Sequence, residues 1–311
     1  MRRRRRPQSA LSERQTGERV RSRIAALKEQ SQRVAARAQA ERSKHKSVDA
    51  IFEVADHDAE VGGSIMAGAL AYRLFIWLLP LALVAVAGLG IASSASSRSP
   101  ESAAKSAGLA GLVSSSVAAA ANSSARWYAL FIGIPILIFA TRSLLRTLVV
   151  AHRLIWSDMR GAIPKPTLGA TLRLLVVLVG FLAISTLAGA ARESSFGAGL
   201  LVTFILPVPY ALLWLLISTR LPHRDATWHA LVPGAILFGA GVEALHLVIA
   251  YFIAPQAGSK HDTYGSLGIA AALLLGLFLI SRLVTAAAIL NATLWSGSAR
   301  RPSPHERVPS D

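Results

Sequence analysis

The sequence predicts an all-α polytopic membrane protein, with six transmembrane helices and an interfacial helix in the first outer loop. Three observations predict it. Several apolar runs reach about 20 residues, the length that crosses roughly 30 Å of hydrocarbon at about 1.5 Å per residue. Hydrophobic residues make up 53% of the 311-residue chain and charged residues 16%, the latter mostly outside those runs. Lys and Arg concentrate in alternate connecting segments, the asymmetry that orients membrane proteins. A soluble core of this size would alternate apolar and polar faces instead.

Residues 1–47 form a basic cytoplasmic tail, partly helical or disordered. The formal net charge is +16, and the first 46 residues, with fifteen Lys/Arg against four Glu, carry +11 of it. Val20, Ile24, Leu27, Val34 and Ala38 recur at roughly helical spacing, a thin apolar stripe on a basic helix. A solvated tail and a tail lying on anionic lipid, where each basic residue contributes about 1 kcal/mol, both fit this pattern. No aromatic residue interrupts the tail to stack on bases, so no nucleic-acid partner is expected. The first long apolar run begins only after Val61, which argues against a signal peptide. The chain has no cysteine, which excludes disulfides, thiol catalysis and iron–sulfur clusters.

Residues 48–61 read as a juxtamembrane amphipathic helix, with Ile51, Phe52 and Ala55 on one side. Asp56, His57 and Asp58 are adjacent and point different ways on a helix, so a solvated charged edge is expected there rather than a metal site. The membrane domain then spans residues 62–296. Its first span covers about 62–91, with Pro80 removing a backbone donor. Residues 92–125 are too polar to span, and a short interfacial helix is expected over 103–121. The second span covers about 126–148 and the third about 169–190. A short hairpin containing Arg192 and Glu193 follows. The fourth span, about 197–218, is kinked by Pro207 and Pro209. The fifth covers about 230–254 and the sixth about 267–296. Residues 297–311, with three prolines, read as a disordered cytoplasmic tail.

Six spans put both termini on one side of the membrane. With the N-terminus cytoplasmic, the inner segments hold the basic tail, then Arg142, Arg146, Arg153, Arg160 and Lys165, then Arg220 and Arg224, then Arg300, Arg301 and Arg307. The outer segments hold only Arg98, Lys105, Arg126, Arg192 and Lys260. The sequence thus places both termini in the cytoplasm.

The chemistry sits in the last two spans. Glu243 and Arg282 each lie near the middle of an apolar run, and charge at the bilayer centre normally faces a partner or a water-filled cavity. Gly239, Glu243, His246 and Ala250 share one helical face. Arg73 lies near mid-depth in the first span. The depth offset between Glu243 and Arg282 is about 6 Å, which a long arginine side chain can bridge. Arg73, Glu243, His246 and Arg282 are therefore the candidate intramembrane polar site. One reading is an ion pair that locks two helices; the other is a polar path for an ion, a proton or a lipid headgroup, with Arg73 as a third wall. The surplus arginine favours an anionic guest. No phosphate loop, zinc motif or nucleophile elbow is present, so no catalytic residue, metal or cofactor is expected, and no enzymatic activity.

Four motifs, in order, resemble the BrkB/YihY family of bacterial inner-membrane envelope proteins. These are Ala67-Gly-Ala-Leu-Ala-Tyr72 continuing to Pro80, Trp228-His-Ala-Leu-Val-Pro233-Gly234-Ala, Tyr264-Gly265-Ser-Leu-Gly, and Ala288-Ile-Leu-Asn291-Ala. Two departures stand out: Arg73 where the family usually has an uncharged residue, and Ile289 where it usually has Glu, with Ala287 for its Gly. The resemblance implies a six-span envelope protein linked to envelope integrity, with members proposed to move lipids or other solutes. An older ribonuclease label attached to the family finds no metal-binding carboxylate cluster here. The expected function is a transporter or flippase-like protein for lipid or another anionic solute. The alternative is a non-transporting envelope scaffold.

Overall fold

The computed structural model describes residues 46–95, 125–158, 161–163, 165–194, 196–248 and 261–299. The basic tail, the expected interfacial helix at 103–121 and the C-terminal tail lie outside the described residues. The chain divides into two units, Met1–Asp56 and His57–Asp311. In the first, the described residues form the opening turns of a helix.

That helix, α1, covers Lys46–Glu60. It ends in a tight turn at Val61 and Gly62, where Gly62 takes a left-handed φ of +66° that suits a residue without Cβ. Then come α2 (Gly63–Ala95), α3 (Ala125–Ile155), α4 (Leu168–Ser194), α5 (Phe196–Ile205), α6 (Pro207–Ser218), a 3₁₀ turn (Trp228–Leu231), α7 (Val232–Val248) and α8 (His261–Ala299). Among the described residues all regular structure is helical. Six segments are long and apolar enough to cross a membrane: 63–88, 127–155, 168–189, 201–218, 228–248 and 273–297.

The core is apolar, as in a soluble protein, but the outer surface is apolar as well. Phe131 is 81% exposed and Phe204 79%, while Thr141, Thr171, Ser281 and Asn291 are buried. Large apolar side chains facing outward suit a lipid solvent, and small polar ones between helices supply interhelical bonds. Trp77 on α2 donates to Thr141 on α3 at 2.9 Å, and Thr141 donates on to Leu137 O. Pro80 and Pro135 both lie inside continuous helices.

The fourth span is interrupted at a single residue. α5 stops at Ile205 and α6 restarts at Pro207, because Pro207 and Pro209 lack the N–H groups that would bond back to the preceding turn, while Leu206 keeps helical dihedrals and its N–H donates to Val202 O at 2.9 Å. The break places the Pro207 carbonyl against Gly239 of α7, where a side chain on residue 239 would collide with it. Close contact between α6 and α7 follows from that small residue.

Candidate functional site

The four candidate residues do not converge. Glu243 on α7 is buried, and it pairs with Arg192 near the end of α4, not with Arg282. Arg192 Nη2 donates to Glu243 Oε1. The expected hairpin at Arg192 is instead helix, since α4 continues to Ser194. Arg192 therefore stays on the helix, three residues beyond the apolar segment that ends at Gly189.

Arg282 turns away from Glu243 to the α1–α2 junction. Its Nη1 and Nη2 donate to Asp58 Oδ1 at 2.9 Å and Oδ2 at 3.1 Å, a bidentate pair. Beside it, His57 Nδ1 lies 2.9 Å from Thr293 Oγ1, further along α8. The expected solvated edge is thus half-buried, and it ties the end of α1 to α8 through two adjacent residues. Arg73 is exposed on α2, with its guanidinium 6.0 Å from the Tyr72 ring centroid. It does not wall the Glu243 site.

The motif positions have a structural role of their own. Asn291 on α8 reaches the start of α7: its Oδ1 accepts from Gly234 N at 2.7 Å, and its Nδ2 donates to Leu231 O at 3.1 Å. The first N–H groups of a helix have no partner within it, so Asn291 caps α7 from another helix. Pro233 fits the first turn, where its missing N–H costs nothing. A side chain at Gly234 would run into Ala287 O and the Asn291 amide. Ala287 and Ile289, the two departures from the motif, are fully buried and apolar. Tyr264 and Gly265 fall within α8, and their side chains lie outside the described residues.

Around Glu243 the structure assembles a cluster that the sequence reading left dispersed. Ser185, two turns before Arg192 on α4, donates to Phe181 O at 2.9 Å, so the Tyr210 hydroxyl, 2.8 Å away on α6, donates to it. Tyr210 and His246 both lie within electrostatic reach of Arg192 and Glu243. The i, i+7 spacing of Ser185 and Arg192 was the available signal. The cluster is incompletely satisfied. Among the described residues, Glu243 Oε2 and Arg192 Nε and Nη1 are buried without a hydrogen-bond partner. A half-paired ionic group away from water is costly, which marks the site as one suited to a further ligand or water. No group of three metal-ligating side chains occurs among the described residues.

Six helices long and apolar enough to cross a membrane, among the described residues, define a multi-pass integral membrane protein. Residues 56–310 match the family described as Virulence factor BrkB, and the chain belongs to that family. No curated protein and no solved structure matches it.

Proposed function

We propose that the protein is a transporter or flippase-like carrier for lipid or another anionic solute, supporting envelope integrity in the bacterial plasma membrane. Both termini are cytoplasmic, as the distribution of Lys and Arg supports. The observation that carries the reading is Arg192, a part-buried residue with two buried guanidinium nitrogens unpartnered beside Glu243. A guanidinium in that state is a ready donor to a phosphate or carboxylate, and Glu243 limits how tightly such a guest is held. The reading involves no covalent chemistry and no cofactor. The basic tail adds attraction to anionic lipid.

The test is transbilayer movement of a headgroup-labelled anionic lipid in proteoliposomes. Wild-type protein accelerates it over protein-free vesicles, and Arg192→Gln removes the acceleration. Equal rates in all three preparations refute the carrier. The bidentate Arg282–Asp58 pair and the Asn291 cap favour the alternative, an envelope scaffold, because both are structural ties that leave no buried side-chain atom of their own unpartnered among the described residues.

A further inference from the structure

On the lipid-facing side of the bundle, α3, α4 and α6 enclose a groove of about 370 Å³. Its floor and walls are aliphatic, including Leu145, Leu174, Val177, Leu216 and Ile217. Two cations also line it, Arg173 and Arg220. Arg173 lies in the second turn of α4, and Arg220 lies just past the end of α6. Both are exposed, and neither has a hydrogen bond or ion pair from its side chain among the described residues. Both sit at the end of the bundle where α4 begins and α6 ends, so the groove has a cationic end and an aliphatic body.

We propose that this groove holds one acyl chain of an anionic phospholipid, with its phosphate between Arg173 and Arg220. Each part matches the ligand. An aliphatic channel open to the bilayer has lipid tails as its natural occupant, since no water is available to fill it. Two unpaired guanidiniums at the headgroup end select a phosphate bearing net negative charge over a zwitterionic headgroup. The Arg-rich end is also the end that the charge distribution assigns to the cytoplasmic leaflet, where anionic lipids attract basic residues. The groove shares Leu174, Val177 and Ile217 with a smaller void of about 80 Å³ inside the bundle, lined also by Trp214, Phe238 and Ser281. The held chain therefore lies against the interior of the helix bundle. The assignment stands apart from the transport reading, because a non-transporting protein would hold the same lipid.

The full-length protein, delipidated in detergent, is titrated with phosphatidylglycerol, phosphatidylcholine or inorganic phosphate, and bound species are counted by native mass spectrometry. The basic tail contributes equally in every variant, so differences report the groove. Wild-type protein binds phosphatidylglycerol in preference to phosphatidylcholine. Arg173→Gln/Arg220→Gln weakens phosphatidylglycerol binding about tenfold or more while leaving phosphatidylcholine unchanged. Leu216→Trp, which fills the aliphatic body, weakens both lipids. Phosphatidylglycerol retained equally by wild type and the double variant overturns the proposal. Displacement of the lipid by millimolar inorganic phosphate also overturns it, by making this a site for free phosphate.

Discussion

Two arginine–carboxylate pairs described in the structure, Arg282–Asp58 and Arg192–Glu243, are completed in different ways. At the α1–α2 junction, Arg282 uses two nitrogens on both oxygens of Asp58, and the neighbouring His57 meets Thr293. The side chains keep 30% and 24% of their exposure. At the α4–α6–α7 cluster, Arg192 and Glu243 share one bond, keep 16% and 6%, and leave Nε, Nη1 and Oε2 unpartnered. The more deeply buried pair is the less satisfied one. Burial raises the cost of an unmet hydrogen bond, so a purely structural pair should show the opposite trend. The difference separates a tie from a site. Variants on either side test that separation.

The largest effect belongs to the fully packed side. Gly234→Val puts branched carbons where Ala287 O and the Asn291 amide sit. Overpacking against backbone should cost more than roughly 3 kcal/mol, and the protein should fail to accumulate in membranes. Normal accumulation would mean that α7 and α8 pack less closely than described. Asn291→Ala comes next. It leaves the Gly234 N–H and the Leu231 carbonyl without the side chain that bonds them, at a cost of about 2–4 kcal/mol in detergent thermal unfolding. Asp58→Asn should cost less, about 1–2 kcal/mol, because that pair is partly hydrated. The exchanged double variant Asp58→Arg/Arg282→Asp should recover part of the loss. Transport should survive in Asp58→Asn; its loss there would blur the distinction between tie and site.

The two regions were unequally legible in sequence. Run length and charge distribution are local properties, so the six spans were readable, and the four motifs in order identified the family. Partner choice is not local. Residue counting puts Glu243 and Arg282 at similar depths in consecutive spans, which makes them an obvious pair. Their partners lie at different ends of the helices: Glu243 meets Arg192 past the end of the 168–189 segment, and Arg282 meets Asp58 ahead of the 63–88 segment. Arg192 was read as part of a hairpin because it follows the apolar stretch, yet backbone bonding carries α4 past it to Ser194. Asn291 showed the reverse. Its motif position makes sense only as a cap contributed from another helix, which sequence order hides until α7 and α8 are side by side.

Glu243→Gln should separate stability from function. Glutamine keeps an oxygen that can accept from Arg192 Nη2, so the bond survives as a neutral-acceptor bond and the fold should lose about 2 kcal/mol, less than the roughly 3–5 kcal/mol of a fully broken buried pair. Function should change more, because the variant leaves Arg192 without its counter-charge. An anionic guest would then bind more tightly and leave more slowly. Labelled-lipid movement in proteoliposomes should fall at saturating lipid, while the affinity for that lipid rises. This split is specific to a site that binds and releases. A structural pair predicts instead a large drop in melting temperature, a recovery in Glu243→Arg/Arg192→Glu, and no change in lipid affinity. That second pattern would place Arg192 and Glu243 in the same class as Arg282 and Asp58, and the unpartnered atoms would then need water alone to account for them.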